Sequence, residues 1–249
     1  MGCVSMLNVE GLTKFYGETE AVRDLSFRVD AGRILGLVGP NGAGKTTTLR
    51  IVSGILPETR GRIEIGGQDL KSNPVGAKSL LAYVPDMPNP FDNLTVMEHL
   101  RFTAAVYGVP DVESRAARLL DEFELTPKRD ALASELSRGM KQKLAISCAY
   151  LHDPKLILLD EPLTGLDPRG IRTMIDSIRE QARRGAAVVV SSHLLELVEK
   201  VCETVLILHR GRKVLDGTLD EIRAAITELQ KEASLEQIFF HATEEGQRA

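Results

Sequence analysis

The chain has 249 residues, 43% of them apolar and 27% charged, which are ordinary globular proportions and exclude a disordered or fibrous chain. Lys plus Arg number 31 and Asp plus Glu 35, for a net charge of −4, which argues against a basic nucleic-acid-binding face though it leaves room for a local patch; no nucleic-acid partner is expected. No apolar run approaches the roughly 18 residues of a membrane helix. Cys3, Cys148 and Cys202 are scattered and form no CxxC pair, so they read as free thiols in a reducing compartment. The N-terminus shows no basic stretch followed by an apolar core, so no secretory signal is read.

In chain order, Leu7 and Val9, then Val22, Leu25, Phe27 and Val29, alternate with polar residues on either side of Gly17. That pattern predicts antiparallel strands within 6–30. A short apolar run, Arg33 to Val38, predicts a strand that ends in Gly39-Pro40-Asn41-Gly42-Ala43-Gly44, which can only be a loop. From Lys45 to Ile55 the apolar spacing suits a helix, and Arg62 to Ile65 is another short strand. Helical periodicity fills 95–124, broken near Gly108-Val109-Pro110, and returns from Met140 to Leu151. Leu156-Ile157-Leu158-Leu159, bounded by Pro154 and Pro162, reads as a strand buried on both faces of a parallel sheet. Helix (169–183), strand (186–191), helix (194–201) and strand (204–208) follow, then a hairpin turning at Arg210-Gly211-Arg212. The expected fold is α/β: a mainly parallel sheet, an antiparallel β subdomain near the N-terminus and an inserted α-helical subdomain. As one domain over 1–249, its core is 1–86 and 154–217, its helical subdomain 87–153 and its helical tail 218–249.

Gly39 to Thr46 fits the phosphate-binding pattern G-x-x-x-x-G-K-[ST] between a strand and a helix, the context of a P-loop NTPase core. A random chain this long would give about one such match per hundred. Glycines let successive N–H groups turn inward onto phosphate oxygens, and the helix adds its N-terminal dipole. Gly39, Asn41, Gly42, Ala43, Gly44, Lys45, Thr46 and Thr47 are the candidate phosphate cradle. Lys45 would reach the β- and γ-phosphates, and the Thr46 hydroxyl would ligate Mg²⁺. Asp160 ends the buried strand, where a carboxylate can hold Mg²⁺. Glu161, next along, is the candidate base for an attacking water.

Leu136-Ser137-Arg138-Gly139-Met140-Lys141-Gln142, lying between those two motifs, resembles the LSGGQ signature of ATP-binding cassette (ABC) ATPases. Gly165-Leu166-Asp167 resembles that family's D-loop, Ser192-His193 its switch histidine, and Lys14-Phe15-Tyr16-Gly17 the segment whose aromatic stacks on adenine. The resemblance spans Leu7 to Gly217. It implies ATP and Mg²⁺ as cofactors, Glu161, His193 and Lys45 as catalytic residues, and Tyr16 against the adenine. It also implies that Ser137, Gly139 and Asp167 address ATP held by a second copy of the chain or a similar cassette. Read from its surroundings alone, Ser137 is a helix N-cap. Three departures stand out. Arg138 replaces the second glycine of the signature, Met140 its final glutamine, and Asp86, after Tyr83-Val84-Pro85, stands where the family usually has a glutamine near Mg²⁺. Asp86 is therefore a third candidate metal ligand, beside Thr46 and Asp160. Met87 to Met97 matches the region that receives a helix from the membrane partner.

The resemblance implies an ATP-hydrolysing subunit that energises a separate membrane-spanning permease from the cytoplasmic side of the cell membrane. The tail Ala233 to Phe240 and the Ser137 to Gln142 form look like those of bacterial exporters. The alternatives are a soluble ABC ATPase of DNA maintenance or translation, and a P-loop kinase of a small molecule. The first usually carries a long insertion or a second cassette, and the second leaves the signature and His193 unaccounted for.

Overall fold

A computed structural model describes residues 5–193 and 195–225. Two long strands open the chain, β1 (Ser5–Tyr16) and β2 (Thr19–Asp30), paired antiparallel. After β3 (Ile34–Val38) and α1 (Lys45–Val52) come β4 (Arg60–Ile65) and the short β5 (Gln68–Asp69). These build a four-stranded antiparallel sheet in the order β2-β1-β4-β5.

A helix α2 (Pro74–Ser79) leads into β6 (Leu81–Val84). Three helices follow, α3 (Val96–Tyr107), α4 (Val112–Glu122) and α5 (Arg138–Tyr150). The sequence explains their ends. Thr95 and Glu98 form a reciprocal capping box at the start of α3, and Gly108 closes it in the left-handed conformation. The chain then alternates β7 (Leu156–Asp160), α6 (Pro168–Arg183), β8 (Ala187–Ser192), α7 (Leu195–Val201) and β9 (Thr204–His209). It ends in β10 (Arg212–Thr218) and α8 (Leu219–Ala225). The second sheet has the order β10-β9-β3-β8-β7-β6, with every pair parallel except β10 with β9.

Its central strands are apolar throughout because both faces are covered. Ile157, Leu159, Val188, Val190, Val205 and Ile207 point into one core with α3 to α7. Their neighbours Leu156, Leu158, Ala187, Val189, Leu206 and Leu208 point into a second core. There they meet α1 and the antiparallel sheet, through Leu49, Ile51, Leu7, Leu25 and Ile65 among others.

The expected strands and helices are found, and the fold class is the one expected. Helix α2 and strand β6 were not anticipated. Pro74 at the first position and a single buried residue, Ala77, leave α2 without an apolar stripe. Strand β6 is only four residues long and pairs along one edge alone, with β7. Cys148 and Cys202 are free thiols, as expected, while Cys3 lies outside the described residues. Of the expected tail 218–249, the segment 226–249, including Ala233 to Phe240, also lies outside them.

Candidate active site

The loop after β3 and the start of α1 form one wall of a cavity of about 360 Å³. Pro40 to Thr47 line it, together with Ala21, Asp86 and Glu161. Glycine is required here on steric grounds. A Cβ at Gly39 would sit 2.5 Å from the Leu208 carbonyl oxygen, and one at Gly44, at φ +103, would sit 2.7 Å from that of Ala21. The loop is braced from behind: Gly211 donates its N–H to the Ala43 carbonyl at 3.0 Å and accepts from Arg23 N–H at 2.8 Å. The first turn of α1 carries no acidic residue, so the positive end of its dipole is left for an anion.

Lys45 is buried at this wall. Its ammonium donates to the Gly39 carbonyl at 2.7 Å and the Pro40 carbonyl at 3.2 Å, and stands 3.9 Å from Glu161. Burial pulls its pKa below the ordinary lysine value, and the Glu161 and Asp160 carboxylates oppose that shift.

Asp160 is 1% exposed and takes hydrogen bonds from three hydroxyls. Ser191 Oγ donates at 2.6 Å and Thr46 Oγ1 at 3.1 Å to the same oxygen, and Tyr83 OH at 3.4 Å to the other. Burial first, then Asp160, pushes the Tyr83 phenol up to about 12, so it is a standing donor at neutral pH. Glu161 turns the chain out of β7 at φ 47, a left-handed conformation that strains a residue with a side chain. Two bonds hold it there: its N–H reaches both the carbonyl and the hydroxyl of Ser191 at 3.1 Å. The turn aims the carboxylate into the cavity beside Lys45. His193 Nδ1 lies 2.8 Å from Glu161 Oε2. A carboxylate only accepts, so Nδ1 carries the proton, and Nε2 of a neutral His193 is then an acceptor.

The hard oxygen donors Thr46 and Asp160, with Asp86 on the cavity wall, suit Mg²⁺. Among the described residues no cluster of three or more His, Cys, Asp or Glu could cage a metal. This small set of oxygen donors fits an ion that takes its remaining ligands from phosphate and water, as Mg²⁺ does. In chemical terms, the wall offers N–H donors, a cation, a hydroxyl–carboxylate pair and a second carboxylate beside a cavity of about 360 Å³.

The other candidates lie off this cavity. Tyr16 ends β1 at the β1–β2 turn, 47% exposed, with the Lys14 ammonium 5.3 Å from its ring centre. Ser137 caps α5 through Met140 N–H at 3.3 Å, and Asp167 caps α6 through Gly170 N–H at 2.9 Å. Gly139 lies against the Gly165 carbonyl, where a Cβ would approach to 2.8 Å. Ser191 was missed. Its only sequence signal is a hydroxyl ending an otherwise apolar run beside the strand that carries Asp160.

The ABC transporter family model matches residues 22–164, more than half of the chain. The ABC-type transporter ATP-binding protein EcsA of Bacillus subtilis is 37% identical over 97% of this chain and 98% of its own. The chain belongs to the ABC transporter ATPase family. The Nod factor export ATP-binding protein I of Ralstonia nicotianae is 34% identical over 89% of this chain and 70% of its own. The linearmycin resistance ATP-binding protein LnrL of Bacillus subtilis is 33% identical over 87% and 70%. A solved ATP-binding subunit of an ABC transporter superimposes with a TM-score of 0.91 at 38% identity, covering 96% of this chain and 99% of its own. This ABC chain is therefore an ATPase subunit that binds ATP with Mg²⁺ and works with a membrane-embedded transporter partner. The readings as a DNA-maintenance or translation ATPase and as a small-molecule kinase give way to it. No described helix is long and apolar enough to cross a membrane.

Proposed function

We propose that this ABC ATPase drives export through a separate permease, from the cytoplasmic face of the membrane, as a dimer of two such cassettes. The observation that carries the chemistry is the convergence of Lys45, Thr46 and Glu161 on one cavity, with Asp160 bonded to Thr46 behind it. The loop N–H groups and the Lys45 ammonium hold the phosphates of ATP. Thr46 and Asp160, with Asp86 beside them, would hold Mg²⁺, which would supply charge neutralisation at the phosphate oxygens. Glu161 takes the proton of the attacking water. His193 orients Glu161 through Nδ1. To donate to a γ-phosphate it must do so through Nε2 as an imidazolium, or release Glu161. Tyr16 stacks on the adenine. Ser137, Gly139 and Asp167 lie off the cavity of their own chain, which suits a role against ATP held by a second cassette.

Residues 87–153 form the arm that meets the permease. Between that arm and β6 lies an apolar cavity of about 360 Å³, lined by Phe91, Phe102, Tyr107 and Leu144 among others. Met87, Phe91, Phe102 and Val106 are more than half exposed around it, a patch suited to a partner's helix. Export is supported by the function named for the Nod factor export relative, and the resistance named for the linearmycin relative is compatible with it. The test uses membranes from cells co-expressing this chain with a candidate permease. Phe102→Glu should release the chain from the membrane fraction, and Lys45→Ala should abolish ATP-driven efflux while leaving it attached. A chain that stays membrane-bound after Phe102→Glu, or efflux that survives Lys45→Ala, would overturn this reading.

A further inference from the structure

Two departures from the ABC motifs meet in space. Asp86 Oδ1 lies 3.5 Å from an Arg138 Nη2, across 52 residues of sequence. Asp86 stands on the wall of the phosphate cavity with Lys45, Thr46 and Glu161. Arg138 is the first residue of α5, where a cation faces the like-signed end of the helix dipole, so the helix itself does not favour it. Its stem runs along Gly165: a Cβ there would lie 3.2 to 3.4 Å from Arg138 Cδ, Nε and Cγ. Arg138 thus touches the segment that precedes Asp167 and a carboxylate of the nucleotide cavity at once. The carboxylate needs an offset, because Glu161 and Asp160 already place negative charge at the same phosphate-binding wall. A neutral glutamine at position 86 would need none, and neither would a glycine at 138.

We propose that Arg138 is a positioning residue for Asp86. Its guanidinium holds the Asp86 carboxylate at the mouth of the cavity and competes with Mg²⁺ for it, so that metal entry and the placement of α5 are linked. The inference rests on the reading of Asp86 as a residue at the Mg–nucleotide site. An exposed ion pair contributes at most about 1 kcal/mol, which is about a fivefold change in an equilibrium. The linkage therefore tunes metal demand rather than holding the fold.

The test is a double-mutant cycle on the full chain. It reads equilibrium binding of a fluorescent non-hydrolysable ATP analogue while Mg²⁺ is titrated, with circular dichroism melts confirming that each variant is folded. Arg138→Gln should lower the half-saturating Mg²⁺ concentration by up to about fivefold, because the carboxylate is freed for the metal. Asp86→Gln alone should raise it. Arg138→Gln added to Asp86→Gln should change nothing further, and the Arg138 effect should shrink as salt is raised. Equal Arg138 shifts in both backgrounds, or no shift in either, would overturn the positioning role. If Asp86→Gln shifts the Mg²⁺ dependence and Arg138→Gln does not, the metal-site reading of Asp86 stands and the pairing alone falls. If Asp86→Gln shifts nothing, both fall.

Discussion

Ser191 is the most informative residue to perturb away from the nucleotide itself. Its hydroxyl does two things in a fully buried position: it donates to Asp160 at 2.6 Å and accepts the Glu161 N–H at 3.1 Å. Ser191→Ala keeps the strand and nearly the volume, so the loss is that of the hydrogen bonds. A bond to a charged group is worth about 1.5–3 kcal/mol, and a buried acceptor left short costs at the upper end. Asp160 keeps Thr46 and Tyr83, and the Glu161 N–H keeps the Ser191 carbonyl at 3.1 Å. That compensation limits the expected loss to about 2 kcal/mol. Urea denaturation of the chain without nucleotide reads this directly. The same substitution in an Asp160→Asn background should cost less than half as much, because the charge that made the bond strong is gone. Steady-state ATP hydrolysis should fall as well, since the strained turn at Glu161 loses one of its two tethers. A loss below about 0.5 kcal/mol, or an equal loss in both backgrounds, would refute the view that Ser191 supports both carboxylates.

Further predictions concern the shared site and the packing around it. Mixing a Lys45→Ala chain with a Ser137→Arg chain should restore part of the ATPase activity, because a heterodimer contains one intact site and one doubly defective site. Heterodimers that form and show no recovery would contradict the sharing. Gly139→Ala should force the Gly165 backbone away, since the new Cβ would lie 2.8 Å from its carbonyl oxygen. Thermal melts should show a loss of about 1–3 kcal/mol, the usual cost of overpacking. An unchanged melting temperature would mean that the contact is slack.

Much of the fold was legible because both sheets write their environment into the chain. The antiparallel strands alternate, as at Leu25, Phe27 and Val29. The central parallel strands are apolar at every position, as at Leu156 to Leu159, because helices cover one face and α1 with the other sheet covers the other. The phosphate loop was legible because only glycine fits where Gly39 and Gly44 meet backbone oxygens. Strand β6 was not, because Leu-Ala-Tyr-Val is too short to show a period and has one neighbour. Asp160 and Glu161 were identified by their place at a strand end. The hydroxyls of Ser191 and Tyr83 that hold Asp160 come from other strands, 31 and 77 residues away, and carry no local signal. The Asp86–Arg138 contact is of the same kind: each residue was visible as a departure, and only the fold brings them together.

The central claim is that ATP is cleaved at this cavity with Glu161 as the base. Glu161→Gln tests it most directly, because the amide keeps the size of the side chain and removes its capacity to take a proton. Turnover of radiolabelled ATP should fall by about 10²–10⁴, while equilibrium binding of ATP with Mg²⁺ stays near the wild-type value. Turnover within a few-fold of wild type, or loss of ATP binding together with turnover, would contradict the account.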